Sequence, residues 1–173
     1  MTGPISIGDE APNFDLSSTE DALLMLKDEV VRTAIVVYFF ADPASERAQR
    51  DLAALNGSRA AIEALGARVL GVSPAKLDEL KKLQVAGKLR FPLLHDDRNF
   101  SAAYGVTAPA EGRTSDPALV LVSRRQKVRW LANPVASVEG AMPEVLKSLK
   151  GLPSSTETYQ KSVINRWIDR WVN

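Results

Sequence analysis

Runs of apolar residues alternate along the chain with more polar segments, and the three longest runs predict buried β-strands. Ala34–Phe40 is a continuous β-branched and aromatic stretch, as expected for a central strand that is covered on both faces. Ala67–Ser73 and Ala118–Ser123 have the same character. Because helical patterns lie between these runs, the chain predicts an α/β domain with a mixed sheet and helices on both faces.

Two shorter segments alternate polar and apolar residues, which is typical of strands with one covered face. Lys127–Leu131 follows the third long run after the short link Arg124–Gln126, so we expect a hairpin between these strands. Asn13–Leu16 is the second segment of this kind. We expect it to form a short strand at the edge of the sheet.

Two helices are predicted from residues that typically start or end a helix. Ser73 offers an N-cap and Pro74 suits the first helical position. Apolar residues follow this start at near-helical spacing: Leu77, Leu80 and Leu83. Pro143 is expected to open a later helix, which Gly151 ends.

The segment after the first long run is rich in helix-forming residues. A helix is predicted to begin around Pro43 to Ser45. We expect Asn56–Gly57 to interrupt it, because both residues favour turns. Ser58 would then cap a second piece that ends at Gly66.

Residues 154–173 are expected to form a C-terminal helical extension of a domain that spans residues 1–153. Ser154 and Glu157 have the spacing of a capping box. An apolar stripe at helical spacing comprises Tyr159, Val163, Ile164, Trp167, Ile168 and Trp171. Two interpretations stay open: the helix packs on its own domain, or the two tryptophans contact a second copy in a homodimer.

Composition excludes several classes of function. The 173 residues are 45% hydrophobic and 25% charged, which suits one globular core. The 22 basic and 21 acidic residues nearly cancel, so no nucleic-acid partner is expected. With one histidine and no cysteine, a structural zinc site is not expected either, and we assign no metal and no cofactor.

No membrane partner is expected, because no apolar run approaches the roughly 20 residues that cross a bilayer. The first residues have neither a basic start nor an apolar stretch, so they do not predict a signal peptide. We therefore expect a soluble cytoplasmic protein.

Five segments in a fixed order resemble the peroxiredoxin (AhpC/TSA) family. Ile7–Leu16 is similar to the family opening, and Val36–Phe40 to the strand that leads into the active site. Val69–Ser73 matches the next strand. Phe91–Asp96 and Ala103–Val106 are similar to later family segments. The resemblance runs from residue 7 to about residue 149 and implies a thioredoxin-like fold.

The active-site motif of that family is only partly retained. It consists of a proline, three residues, a threonine, two residues and the peroxidatic cysteine, and the matching positions here are Ala41, Ser45 and Ala48. Some relatives carry a second cysteine at the position of Ala53. The family also has an arginine before a later strand, where this chain has Pro117.

The missing sulfur decides which chemistry is open to the chain. Peroxide reduction in this family requires a thiolate that attacks the O–O bond and becomes a sulfenic acid. Alanine at position 48 has no lone pair to offer, so the chain as written is not expected to be a thiol peroxidase.

The resemblance places a polar loop where the family has its active site, and a helix N-terminus of this kind favours a polarised oxygen or an anion. If the pocket is catalytic, the candidate residues are Ser45, Glu46, Arg47 and Arg113. Candidate ligand-binding residues are Asp42, Pro43, Asp116, Pro117 and His95. The alternatives are that Asp42 or Ser45 only caps the helix and that Glu46 and Arg47 are solvated helix charges.

Other polar residues of this region have structural alternatives too. His95 would need a hydroxyl such as that of Ser45 within hydrogen-bond reach to form a triad, and otherwise lies at the surface beside two aspartates. Those aspartates, Asp96 and Asp97, are expected to cap the helix that contains Phe100. Pro117 precedes an apolar strand as the cis proline of thioredoxins does, and both a cis and a trans bond stay open.

Three functions are compatible with the sequence. The first is a pocket that binds, or also transforms, a small molecule by non-thiol chemistry. The second is a non-catalytic scaffold that uses the helix with Trp167 and Trp171 as its contact surface. The third is a thiol peroxidase whose cysteine was replaced by alanine in the laboratory.

Overall fold

A computed structural model of the chain describes residues 5–106 and 116–153. Seven strands form one mixed sheet in the order β2-β1-β5-β4-β3-β6-β7. The strands are β1 Asp15–Ser18, β2 Leu23–Met25, β3 Ala34–Phe39, β4 Ala67–Ser73, β5 Leu93–His95, β6 Ala118–Val122 and β7 Val128–Ala132. The helices are α1 Leu26–Arg32, α2 Glu46–Ala64, α3 Leu77–Ala86 and α4 Val138–Lys150, and a 3-10 helix spans Phe100–Tyr104.

The central strand is β3, and every one of its side chains is buried. It pairs in parallel with β4 and antiparallel with β6, and β4 pairs in parallel with β5. The link Arg124–Gln126 joins β6 to its antiparallel neighbour β7, so the predicted hairpin is confirmed. The predicted thioredoxin-like α/β sheet is therefore present.

Side chains of β3 alternate between two apolar cores, one on each face of the sheet. Val36 and Tyr38 pack with the buried faces of α2, α3 and α4. Ile35 and Val37 pack with α1 and the 3-10 helix on the other face. A strand that feeds two cores cannot carry a solvated position, which explains its unbroken apolar run.

The strand predicted at Asn13–Leu16 lies inside the sheet, so its expected edge position was wrong. It forms as β1 and pairs with both β2 and β5. The edge is β2, which has only three residues and was not predicted. So short a segment carries no detectable alternation, and α1, with seven residues, was missed for the same reason.

Helix α2 is continuous, so the predicted interruption at Asn56–Gly57 was wrong. The Asn56 side-chain amide does not turn back on its own backbone. Its Nδ2 donates to the Lys88 carbonyl at 3.1 Å, and its Oδ1 accepts from the Arg90 amide at 3.0 Å. The oxygen and the nitrogen of the Asn56 amide therefore both bind the loop that contains Lys88 and Arg90. The side chain is then not available to compete for the backbone hydrogen bonds of the helix.

The two other predicted helix starts were also misplaced. The Ser73 hydroxyl accepts from the Ala75 amide at 3.2 Å in a turn, and α3 begins only at Leu77. Helix α4 begins at Val138, where Ser137 is the N-cap, and Pro143 lies inside it. The predicted end at Gly151 is confirmed.

Gly71 of β4 lies close to side chains of the pocket-side core. A Cβ built there would lie 2.6 Å from Leu93 Cδ2 and 3.4 Å from Phe40 Cε1. A larger residue would therefore require the Leu93 side chain to move, while its contact with Phe40 would be an ordinary one.

In the part of the chain that is described, no helix is long and apolar enough to cross a membrane. The predicted C-terminal helix, residues 154–173, lies outside the described residues. Its packing and the expected homodimer contact stay predictions.

Candidate functional site

A cavity opens where β3 ends and α2 begins. Because β6 runs antiparallel to β3, with Ala118 opposite Phe39, the residues just before β6 lie beside the end of β3. The cavity has a volume of about 160 Å³. The described residues that line it are Tyr38, Phe40, Ala41, Asp42, Ser45, Arg47, Ala48, Asp116 and Pro117. Six residues predicted from the sequence as markers or members of the site thus come together: Asp42, Ser45, Arg47, Ala48, Asp116 and Pro117.

Two polar residues of the loop accept backbone hydrogen bonds around the start of α2. Ser45 is the N-cap, and its Oγ accepts from the Ala48 amide at 3.1 Å, so it satisfies a backbone donor that the helix start leaves open. Asp42 Oδ1 accepts from the Ala44 amide at 2.8 Å, and Ala44 lies before the helix. The capping alternative is therefore confirmed for Ser45, whereas Asp42 holds a turn of the preceding loop.

Ala48 forms part of the cavity wall and is 2% exposed. Its methyl group lies one turn into α2, at the position where the family motif has sulfur. The cavity therefore contains an apolar patch at the place where the relatives need a nucleophile.

Arg47 belongs to a buried polar cluster that the sequence did not predict. Its Nε donates to Asp51 Oδ2 at 2.9 Å, and its Nη2 donates to the Val135 carbonyl. Asp51 Oδ2 also accepts from the Tyr38 hydroxyl at 2.8 Å, and Oδ1 accepts from the Val138 amide at 3.4 Å. The Arg47 side chain is 40% exposed and so remains partly solvated, while its partner Asp51 is 2% exposed; the charge is therefore both accessible and paired.

The cluster fixes the charge state of the tyrosine in the cavity wall. Burial raises the pKa of Tyr38 well above its ordinary value, and the hydrogen bond to Asp51 raises it further. The Tyr38 hydroxyl therefore stays protonated as a donor. A signal was present in the sequence: Arg47 and Asp51 are four residues apart on a helix, and a lone hydroxyl interrupts the apolar run of β3.

Among the described residues, Glu46, Pro43 and His95 lie outside the cavity lining. Glu46 is exposed on the first turn of α2. Pro43 lies in the adjoining loop, where its carbonyl accepts from Gln49 Nε2 at 3.4 Å. Arg113 lies outside the described residues, so its assignment to the site stays a prediction.

His95 does not form a triad with Ser45. Its Nδ1 lies 2.7 Å from the carbonyl of Ala75, and the residue is absent from the described cavity lining. The neighbouring Asp96 caps the 3-10 helix as expected, accepting from the amides of Phe100 and Ser101 at 2.8 and 2.9 Å. Within residues 5–106 and 116–153, no three histidine, aspartate or glutamate side chains are grouped to hold a metal ion.

The question of the cis proline is settled by the backbone. The cis bond in the described residues joins Asn133 to Pro134, so the Asp116–Pro117 bond is trans. The Pro117 carbonyl accepts from the Val135 amide at 2.8 Å. Arg47 and Pro117 thus both bind the backbone of Val135, three residues before α4, which ties the two sides of the cavity together.

Comparison with known proteins extends over most of the described fold. A family model described as the AhpC/TSA family matches residues 7–131. Peroxiredoxin Q, chloroplastic, from Oryza sativa subsp. japonica is 27% identical over 153 residues, which are 88% of this chain and 70% of that protein.

Two solved structures are similar in fold. Peroxidoxin BcpB from Mycobacterium tuberculosis superposes with a TM-score of 0.77 at 16% identity, covering 86% of this chain and 98% of that chain. A mutant of PrxQ from Xylella fastidiosa gives 0.76 at 22% identity, covering 87% and 98%. These identities show a shared fold and nothing more specific.

Proposed function

The chain belongs to the AhpC/TSA family, and we propose that its pocket binds a small molecule and does not reduce peroxides by thiol chemistry. The sequence contains no cysteine, so no thiolate can form and no sulfenic acid can result. Ala48 lies in the cavity wall at the position where sulfur would be needed.

The observation that carries this proposal is the open cavity itself. A residue larger than Ala48 would fill part of the space and gain apolar contact with its neighbours. The cavity of about 160 Å³ remains instead, bordered by both apolar and charged groups. An engineered cavity of roughly 150 Å³ in another protein accepts a molecule the size of benzene, so this volume suits a small ligand.

Binding is better supported than transformation of the ligand. The Ser45 oxygen accepts from a helix amide, and Arg47 is held by Asp51 and Val135. Both side chains are thus engaged in holding the start of α2 and the segment before α4, which supports a binding role over a catalytic one. The catalytic roles of Ser45, Glu46, Arg47 and Arg113 stay predictions.

A filled pocket tests the proposal. We expect Ala48→Leu to abolish binding of every small molecule that shifts the thermal unfolding of the unaltered protein. Ala53→Leu is the matched control, because Ala53 is exposed on the same helix and the substitution adds the same atoms. The proposal fails if no compound in a fragment library stabilises the protein, or if both variants bind the hits equally well.

Peroxide consumption gives an independent test. We expect the purified chain to consume hydrogen peroxide and an alkyl hydroperoxide at the rate of buffer alone, with dithiothreitol as reductant. Sustained turnover that copurifies with the protein would overturn the proposal.

The two alternative functions stay predictions. The contact surface of the scaffold function, with Trp167 and Trp171, lies outside the described residues. A laboratory replacement at Ala48 would be revealed by the native gene sequence. The cytoplasmic location also stays a prediction.

A further inference from the structure

We propose that Asn56–Gly57 is a covalent modification site at which the asparagine side chain cyclises and loses ammonia, and that the loop after α3 controls this reaction. The inference goes beyond the proposed function, because the two residues lie in the interior of α2 and are absent from the described cavity lining. It follows from the order of the two residues and from the contacts that hold the asparagine side chain.

The reaction needs only the two residues and water. The Gly57 backbone nitrogen bonds to Asn56 Cγ, the bond from Cγ to Nδ2 breaks, and Nδ2 leaves as ammonia with the proton of the Gly57 amide. Water then opens the cyclic imide at either carbonyl, which gives aspartate or isoaspartate at position 56. Glycine offers the least hindered amide for this attack, because it has no Cβ. Gly57 is exposed, and a Cβ built there would meet nothing within 4 Å, so water reaches the site.

Two hydrogen bonds oppose ring closure in the folded protein. Asn56 Nδ2 donates to the Lys88 carbonyl at 3.1 Å, and Oδ1 accepts from the Arg90 amide at 3.0 Å. Ring closure turns the side-chain amide towards the Gly57 nitrogen and removes Nδ2, so it cannot proceed while both bonds are in place. The helix must also loosen at Gly57, where glycine makes it less stable than alanine would. The folded state therefore suppresses the reaction.

The loop that supplies both bonds has few buried contacts. Lys88 and Arg90 are exposed, and Lys88 has a φ of 48°, a left-handed conformation that is unfavourable for a residue with a side chain. Leu89, between them, is buried at 8% exposure and anchors the loop to the core. Loops of this kind open at a lower free energy than the whole domain. We therefore expect opening around Leu89 to release Asn56 while the sheet stays folded.

The product would keep the loop open. A carboxylate at position 56 has no hydrogen to donate, so the Lys88 carbonyl loses its partner and faces a negative oxygen. Isoaspartate also adds a methylene group to the main chain in the interior of α2, which interrupts the regular hydrogen bonds of the helix. Because nothing in the reaction restores the amide, each opening that leads to ring closure leaves a permanent change.

Mass spectrometry of tryptic peptides measures the reaction on the full chain in mildly alkaline buffer. The peptide Asp51–Arg59 contains no asparagine or glutamine besides Asn56, so its conversion from amide to acid reports this residue alone. We expect conversion to be at least about tenfold slower in the folded protein than in concentrated urea, because only the open fraction reacts. Asn56→Gln is the control for the assignment, since its longer side chain closes a larger ring much more slowly.

Two substitutions in the loop should change the rate in the folded protein in opposite directions. Leu89→Ala weakens the anchor, and we expect Asn56 to convert about tenfold faster. Lys88→Gly removes the unfavourable conformation, so conversion should be slower than in the unaltered protein. Leu149→Ala is the matched control, because it removes the same atoms from a residue of the same core, 2% exposed, that lies on α4. It should leave the rate within about twofold, since it lies outside the loop.

The outcomes against the inference are distinct. Absence of conversion in urea would show that Asn56–Gly57 does not react, and equal rates in urea and in the folded protein would show that the fold gives no protection. Equal acceleration by Leu89→Ala and Leu149→Ala would assign the reaction to global unfolding. An unchanged rate in both Leu89→Ala and Lys88→Gly would remove the control by the loop. None of these results bears on the pocket, so the proposed function is tested separately.

Discussion

The two ends of helix α2 carry the same type of ion pair in different surroundings. Near the pocket, Arg47 pairs with Asp51 at 2.9 Å, and the Asp51 side chain is 3% exposed. Within the last two turns of the helix, Arg59 pairs with Glu63 at 2.6 Å, and the Glu63 side chain is 45% exposed. In each pair the two residues are four positions apart. The Arg59–Glu63 pair has the shorter distance but should contribute less to stability, because water screens it and its side chains remain free to move.

The comparison indicates that burial, more than the N–O distance, decides how much a polar contact of α2 stabilises the structure around the pocket. At the pocket end, one carboxylate serves Arg47, Tyr38 and the start of α4. At the far end, only one partner is involved. The pocket end should therefore be sensitive to substitution and the far end tolerant.

Removal of the shared carboxylate should have the largest effect. We expect Asp51→Ala to lower the free energy of unfolding by about 3–5 kcal/mol, because it leaves Arg47, the Tyr38 hydroxyl and the Val138 amide without their acceptor. Urea denaturation measures the loss. Glu63→Ala, the equivalent change at the far end, should cost less than about 0.5 kcal/mol. Equal losses from both variants would remove the distinction between the two ends.

A tether in the middle of the helix should matter to an intermediate degree. Asn56→Ala removes two hydrogen bonds to the loop after α3, and we expect a loss of about 1–2 kcal/mol. The Arg90 amide should exchange its hydrogen faster in the variant, which native-state hydrogen exchange measures. Gln49→Ala serves as a control near the pocket, since that exposed amide makes one bond of 3.4 Å. An unchanged Arg90 amide would contradict the tether.

The helix cap should contribute somewhat less. We expect Ser45→Ala to lower stability by about 1 kcal/mol, because the Ala48 amide loses its acceptor. Ser45→Asn should stay close to the unaltered protein, since its amide oxygen can accept the same bond. Thermal or urea unfolding distinguishes the two variants, and identical behaviour would argue against the cap.

The smallest effect is expected as a gain. Gly57 lies inside the helix, and a Cβ there would meet nothing within 4 Å. Gly57→Ala should therefore raise the free energy of unfolding by up to about 1 kcal/mol, through the lower flexibility of the unfolded chain. A loss of stability in denaturant would show that the helix needs its glycine.

The sequence predicts the central sheet well, because β3, β4 and β6 are buried almost throughout and are therefore rich in apolar residues. The sequence-based prediction fails at residues whose local preference differs from the role that the tertiary structure gives them. Asn56–Gly57 has the local preference of a turn, and only the distant loop at Lys88 and Arg90 keeps Asn56 in the helix. Pro143 has the preference of a first helical position, yet Ser137 caps α4 earlier.

The same reasoning applies to the candidate site. The motif positions Ala41, Ser45 and Ala48 all line the cavity, because their places follow from one strand and one helix start. The role of Arg47 was missed, since its partners come from α2 itself and from the segment before α4. A contact between residues 88 positions apart leaves no local pattern that a single sequence could reveal.

Gly71 has a consequence for any attempt to redesign the pocket. The ring of Phe40 forms part of the cavity wall and also lies 3.4 Å from the point where a side chain on β4 would begin. A methyl group at position 71 would come within 2.6 Å of Leu93 Cδ2, so that side chain would have to move, while the Phe40 ring would be in ordinary contact. The same ring thus borders the cavity and packs against β4. Engineers who wish to admit larger ligands should vary the mouth at Asp42 and Asp116 and keep the sheet unchanged.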